Sequence, residues 1–367
     1  MRIMFVQKNF HPNSVGQFEG LVARGHEVRA IIQYVDGTKS GTSSSALRPE
    51  KLEYGPISRQ VWRRNKKRLD MRGFPRFWQL YRSLRRERPD VVVVKEVRAV
   101  SIVALLIALL LGSRTVLSWE KPKRANKSWR LAVGGGLLLP RRKFHMGHFG
   151  DIGNDVRLGG FVGHSRLLPY PVQPNPFGVR RTEDAERVKI VSVGSLNNRR
   201  KRMSWLTEAV ASAGLTEDVE ITYIGLGTET SHFFKEIRAL EQKHGVAPAT
   251  ILLNLPHSEV MKRLPTFDLF VLPARNEPFG AVVPEAMAAG LPVICSSTCG
   301  SRVCFEDETS GLIFQSESFE DFTKAVKRLV RDRELRRAMA AAAFDRVENV
   351  LNPDRWAQMF EDLVQDR

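Results

Sequence analysis

Two acidic side chains offer the clearest chemistry in this sequence. Glu277 and Glu285 have seven residues between them in the stretch Asn276-Glu277-Pro278-Phe279-Gly280-Ala281-Val282-Val283-Pro284-Glu285-Ala286-Met287-Ala288-Ala289-Gly290. Pro284 suits a first helical position and Gly290 suits the residue just past a helix end, so the spacing predicts a short helix with Glu285 in its first turn. Glu277 precedes that helix on a loop bent by Pro278 and Gly280, which lets the two carboxylates face one crevice from two sides. The strand-like run Asp268 to Pro273 comes just before, and ligands of open α/β sheets bind at the carboxyl ends of such strands. A helix N-terminus there presents free N–H groups to a phosphate. Carboxylates accept hydrogen bonds from hydroxyls but cannot hold phosphate, so the pair suits a ligand carrying both, such as a nucleotide sugar. The alternative is structural: Glu277 caps the helix and Glu285 complements its dipole.

A second group carries positive charge. The buried-strand pattern Val188 to Gly194 runs into Ser195-Leu196-Asn197-Asn198 and then four cations, Arg199, Arg200, Lys201 and Arg202. Cations directly after a strand-ending glycine are placed to neutralise a diphosphate. A solvated basic turn is the competing reading.

The elements that must position these groups alternate between buried strands and helices in both halves of the 367 residues, too many for one usual core. Strand patterns at Arg2 to Val6 and Glu27 to Ile32 flank a helix over Ser14 to Arg24, and further strands read at Pro89 to Val94, Arg114 to Ser118, Glu220 to Gly227 and Thr250 to Leu255. A helix is expected over Met203 to Ala213, and the apolar run Val100 to Leu111, too short for a bilayer span, reads as a buried helix. The alternation predicts an α/β protein of two doubly wound, Rossmann-like domains facing a cleft. The prolines of Leu167 to Pro176 mark the boundary. This gives an N-terminal domain at 1–168, a linker at 169–176, a C-terminal domain at 177–350 and a final helix at 351–367 that returns to the N-terminal domain.

Charge changes sign at the same boundary. Residues 1–170 carry 32 Lys and Arg against 12 Asp and Glu, a net of +20, whereas the rest carry 25 against 28, a net of −3. A basic first domain implies an anionic partner such as a lipid surface or phosphorylated glycan. The segment Arg59 to Arg88, with interleaved Trp62, Phe74, Phe77 and Trp78, has the pattern of amphipathic interfacial helices. No nucleic-acid module or stacking platform accompanies the charge, so nucleic acid is not expected as a partner. Thr38 to Ala46 reads as a mobile loop, and His26 as a structural residue beside a helix stop. The absence of a secretory pattern after Met1, together with the odd, clustered set Cys295, Cys299 and Cys304, points to a reducing, cytoplasmic setting and to no disulfide framework. Neither these cysteines nor His145 and His148 have the company or spacing of a metal site, and no metal is expected.

The stretch Glu277 to Val293 resembles the E-x-F-G-x-x-x-x-E-A-M-A-x-G-x-P-V hallmark of GT-B fold retaining glycosyltransferases of family four, the group 1 type. Val193-Gly194-Ser195-Leu196 with Lys201, Asp268 to Pro273, Ser310 to Phe314 and the opening segment Phe5 to Val28 are similar to other elements of that family. The resemblance implies that Glu285 binds the ribose hydroxyls and Glu277 the donor sugar. It further implies that the backbone of Phe279, Gly280 and Ala281 meets sugar and diphosphate, that Lys201 neutralises the diphosphate, and that Gly16 lets the first loop approach it. With Gly194 followed by Ser195 instead of the family's Arg, the second phosphate cation falls to Arg200 or Arg199. Where many members place a His, this chain has Trp119-Glu120, so Glu120 or Lys121 is the expected acceptor or sugar contact.

What the resemblance implies is metal-independent transfer of a hexose, with retention, from a nucleotide-diphosphate sugar to a glycan or lipid-linked acceptor in cell-envelope polysaccharide or lipopolysaccharide biosynthesis. No cofactor is expected, and a UDP-hexose is favoured over GDP-mannose as co-substrate. The expected location is cytoplasmic, peripheral at the inner face of the cell membrane and on an anionic surface. Alternatives are a soluble GT-B transferase with a small acceptor, and a non-catalytic protein of the same fold that binds anionic membranes or nucleic acid.

Overall fold

A computed structural model describes residues 1–9, 14–34, 50–51, 77–95, 99–119, 144–148, 165–179 and 186–365. The expectations for Thr38 to Ala46, for 59–76, and for Glu120 and Lys121 fall outside the described residues, as do the side chains of His145 and His148. The first half of the chain contains β1 (Arg2–Asn9), α1 (Val15–Ala23), β2 (Glu27–Tyr34), β3 (Glu50–Lys51), α2 (Phe77–Glu87), β4 (Val91–Lys95), α3 (Ala99–Leu110), β5 (Arg114–Trp119), β6 (Phe144–His148) and β7 (Ser165–Leu167). The second half contains β8 (Val188–Ser195), α4 (Trp205–Ser212), β9 (Val219–Leu226), α5 (His232–His244), β10 (Thr250–Leu253), α6 (His257–Arg263) and β11 (Leu269–Leu272). It continues through α7 (Val282–Ala288), β12 (Val293–Ser296), β13 (Gly311–Phe314), α8 (Phe319–Arg331), α9 (Arg333–Asn349) and α10 (Pro353–Gln365).

These elements form two α/β units, as the alternating pattern predicts. One comprises Met1–Pro171 with Pro353–Arg367, the other Val172–Asn352. The division falls inside the proline-rich segment. Val172 N–H donates to the Leu351 carbonyl at 2.8 Å, so the outgoing and returning crossings run side by side.

The first unit has a parallel sheet in the order β3-β2-β1-β4-β5-β6-β7. Val91 to Val94 are all buried because a parallel strand is covered on both faces. Alternate residues of β1 split between two cores. Met4 and Val6 pack with Leu80 and Leu84 of α2 and Ala104 and Ile107 of α3. Ile3 and Phe5 pack with Phe18 and Leu21 of α1 and with Trp356, Phe360 and Leu363 of α10. The final helix is therefore part of this unit's core. It is also clamped by charge: Arg24 Nε and Nη2 each donate to Glu361 at 2.9 Å, and His26 Nε2 lies 2.7 Å from the same carboxylate. The Arg24 hydrogen bonds, helped by His26, hold the Glu361 carboxyl down at about 2 despite its partial burial.

One expectation is corrected here. The run is helical as far as Leu110, but it is not buried all round: Ile102, Leu106 and Leu110 are 46%, 40% and 80% exposed. Their spacing of four places them in one stripe, opposite the residues that pack on the sheet.

The second unit's sheet is also parallel, in the order β10-β9-β8-β11-β12-β13. The chain moves from β8 outward to β9 and β10, returns to lay β11 on the other side of β8, and continues to β12 and β13. The direction of winding thus reverses between β8 and β11, and a crevice opens at their carboxyl ends. Two helix starts are corrected. The helix expected at Met203 begins at Trp205, because Arg202 occupies the left-handed region at φ +48. The helix expected from Pro284 begins two residues earlier at Val282, and Pro284 sits within its first turn, where its missing N–H costs nothing. Gly290, at φ +75, follows its C-cap as predicted.

Candidate functional site

The β8–β11 crevice brings the predicted carboxylate and cation together. After β8 the chain makes one 3-10 turn, Arg199–Lys201, capped by the Asn198 side chain, which accepts from Arg200 N–H. Lys201 Nζ donates to Glu277 Oε2 at 2.6 Å, and Arg200 Nη2 lies 3.3 Å from the same oxygen. Arg200 also donates to the Asn276 carbonyl, and Arg275 N–H donates to the Arg200 carbonyl at 2.8 Å. Glu277 is 8% exposed, so its charge depends on these two partners.

The loop bearing Glu277 is fixed by its backbone. Asn276 stands in the left-handed region at φ +52, which Asn tolerates better than most residues. Gly280, at φ +83, would hold any other residue under strain, and a Cβ would lie 3.1 Å from both Leu272 Cδ2 and Glu277 Cγ, a tight contact. Gly300 N–H donates to the Glu277 carbonyl at 2.9 Å and Ser301 N–H to the Phe279 carbonyl at 2.7 Å. Cys299 Sγ lies 3.3 Å from the same Phe279 oxygen. All three cysteines are buried and free, so the cluster serves here as packing beneath the loop. Among the described residues no group of three or more His, Cys, Asp or Glu gathers as a metal set would.

Glu285 lies in the first turn of α7 and is paired separately, with His257 Nε2 3.0 Å from its Oε1. That hydrogen bond raises the His257 pKa against a smaller opposing effect of burial. Sequence reasoning missed His257 as a site residue. It stands 28 positions from its partner on another helix, a relation that no local spacing reveals.

The four cations separate. Consecutive residues of a 3-10 turn point about 120° apart, and only Arg200 and Lys201 turn to Glu277. Arg202 donates to Glu317 at 2.8 Å and to the Ser316 carbonyl, and lies 4.4 Å over the Trp205 ring. Its role is to hold the start of α4 to the loop after β13. Arg199 is exposed and lines a groove with Trp205, Thr228 and His232, which Glu277 does not enter. Gly194, next to last in β8, lies beside the Lys201 stem, where a Cβ would meet Lys201 Cε at 3.5 Å, ordinary contact. Ser195 accepts from Asn198 N–H through its carbonyl, 3.2 Å away. Phe279 is buried and Ala281 is the N-cap residue of α7. Gly16, in the other unit, packs on Pro171, where a Cβ would lie 3.2 Å from the proline ring.

Residues 179–346 match the model of the family described as glycosyl transferases group 1. Among curated relatives, the D-inositol 3-phosphate glycosyltransferase of Streptosporangium roseum is 28% identical over 216 residues, which is 58% of this chain and 43% of that protein. The aligned region spans less than half the length of the curated relatives it matches. The solved structure of Anabaena HepE in complex with UDP is similar over 100% of both chains, with TM-score 0.76 and 13% identity. The lipopolysaccharide outer core galactosyltransferase WaaB is similar over 100% of this chain and 99% of that one, with TM-score 0.73 and 14% identity. Whole-chain likeness at such low identity establishes the fold, the GT-B fold, and the family match fills nearly all of residues 172–352. This C-terminal unit matches the group 1 glycosyl transferases.

Proposed function

We propose that the protein is a retaining glycosyltransferase that moves a hexose from a nucleotide-diphosphate sugar to a glycan or lipid-linked acceptor in cell-envelope polysaccharide synthesis. The observation that carries this reading is the convergence of Lys201 and Arg200 on Glu277 at the β8–β11 crevice. Glu285 lies one short helix turn beyond the same loop. In the structure the two cations pair with Glu277. A donor diphosphate would draw Lys201 and Arg200 away and leave Glu277 to accept hydrogen bonds from sugar hydroxyls. Glu285 would exchange part of its His257 interaction for the ribose hydroxyls. Gly194, Ser195, Phe279, Gly280 and Ala281 would line the donor.

In this reading the acceptor hydroxyl attacks on the face from which the diphosphate departs, and the diphosphate takes its proton. Lys201 and Arg200 stabilise the leaving charge, each preorganised contact being worth about 2.7–4 kcal/mol of barrier. UDP is the favoured nucleotide, supported by the Anabaena structure that holds it. Cytoplasmic placement at the inner face of an anionic membrane, with no cofactor, completes the reading.

The test pairs binding with turnover. Thermal shifts with UDP, GDP and ADP identify the nucleotide, since a ligand that binds only the native state raises the melting point. Glu285→Ala should then raise KM, whereas Glu277→Ala should mainly lower kcat, because sugar hydroxyls move with the reacting centre and ribose hydroxyls do not. Turnover should persist in excess EDTA. An absence of any nucleotide shift would overturn the transferase reading, and a requirement for added Mg²⁺ or Mn²⁺ would overturn its metal independence.

A further inference from the structure

The exposed face of α2 belongs to the amphipathic pattern of Arg59 to Arg88, and that of α3 has no role assigned above. Both helices cover the same face of the first unit's sheet. α2 leads into the start of β4 and α3 leaves its end, so both run antiparallel to the strands and their N-terminal ends lie at the carboxyl edge of the sheet. That edge carries Phe77 and Trp78, 46% and 67% exposed, and Ile102, 46% exposed. The α3 stripe continues through Leu106 to Leu110, at 80% exposure the barest large apolar residue of the three. Phe77, Trp78 and Tyr81 form one aromatic cluster, with ring centroids 5.5–6.2 Å apart. Arg82, Arg85 and Arg86 are exposed on the same helix.

We propose that this two-helix face seats the first unit on a bilayer rich in anionic lipid headgroups. Scattered exposed apolar residues need no explanation, but an apolar stripe next to an aromatic cluster and flanked by arginines does. Aromatic rings and leucines enter the headgroup boundary while guanidinium groups remain with the phosphates. The charge fits: residues 1–170 carry a net +20, and an anionic leaflet attracts such a surface. The helix lies on the membrane and does not cross it, because its 12 residues extend about 18 Å. Among the described residues no helix is long and apolar enough to span. The inference rests on the membrane part of the proposed function and gives it a surface.

The test is co-sedimentation of the full chain with phosphatidylcholine vesicles, with and without phosphatidylglycerol, at low and high salt. Binding to the anionic vesicles alone, released by about 0.5 M salt as charge is screened, is expected. Replacing Ile102, Leu106 and Leu110 together by Gln, or Trp78 by Ser, should weaken it at least tenfold. These side chains are exposed, so the melting temperature should hold. Arg82→Gln with Arg85→Gln should lower the preference for anionic lipid. Failure of the wild type to bind anionic vesicles, or equal binding by the substituted chains, would overturn the proposal. So would a concentration-dependent dimer that the triple substitution dissolves, because the face would then serve a second copy. UDP thermal shifts measured without vesicles report separately on the transferase reading, so either can fail alone.

Discussion

Lys201→Met tests the pairing with Glu277 most directly. The substitution removes an ammonium 2.6 Å from a carboxylate whose side chain is 10% exposed. Breaking a buried pair costs about 3–5 kcal/mol when nothing else meets the remaining charge. Arg200, at 3.3 Å and 35% exposed, remains beside Glu277, so a cost of about 2–3 kcal/mol is expected here. Glu277→Gln should cost less, about 1–2 kcal/mol, because Arg200 can turn to solvent and the Gln amide oxygen can still accept from the Lys201 ammonium. In the double variant no buried charge is stranded, and the two effects should fall short of their sum by about 2 kcal/mol. Urea unfolding of the four proteins measures this cycle. The same variants separate structure from ligand binding: Lys201→Met should weaken UDP much more than uridine, because only UDP carries the diphosphate. Additivity of the two substitutions within about 0.5 kcal/mol, or equal weakening of UDP and uridine, would refute the assignment of Lys201 to both partners in turn.

Three further outcomes are expected. Glu361 has its folded pKa lowered, so its clamp contributes fully above the ordinary carboxylate value of 4.5 and is lost as the pH falls toward about 2; after allowance for screening this is worth about 2 kcal/mol. Denaturant unfolding across that window should show the acid loss in the wild type and a flatter profile in Glu361→Gln. His257 has its pKa raised by Glu285, so the pair is complete at low pH and lost as pH rises through the folded value; NMR titration should find that pKa above 6.5 and bring it down in Glu285→Gln. Gly20→Ala should destabilise the first unit in spite of alanine's better helix propensity of about 1 kcal/mol, because a Cβ would lie 2.1 Å from the Pro353 carbonyl oxygen. A higher melting temperature in that variant would show that α1 and α10 are free to separate.

The two sheets and the crevice were legible because each rests on a local pattern: buried runs of strand length, and a proline and a glycine marking a turn. The misses have physical causes. α7 starts at Val282 with Ala281 as an N-cap residue that makes no side-chain cap, so no capping signal marked it. The bare stripe of α3 was invisible because its exposed and buried residues are equally apolar, and periodicity needs contrast. Which cation of Arg199 to Arg202 faces Glu277 depends on the turn's geometry, and the link from His257 to Glu285 depends on the path of the chain across the sheet. Neither is written in spacing.

The return of α10 to the first unit has a consequence in time. Residues 1–171 are synthesised first, yet the sheet face bearing Ile3 and Phe5 has only α1 as cover until Trp356, Phe360 and Leu363 arrive. At about 5–20 residues per second that wait is on the order of 10–40 s. Val172–Asn352, by contrast, is one uninterrupted segment, able to finish as soon as its last strand and helices emerge. The nascent chain therefore completes its second unit before its first and carries a half-covered apolar sheet in the interval. Rare codons or a stalled ribosome after residue 352 would lengthen that exposure, and a chaperone that recognises apolar strands would find its natural window there.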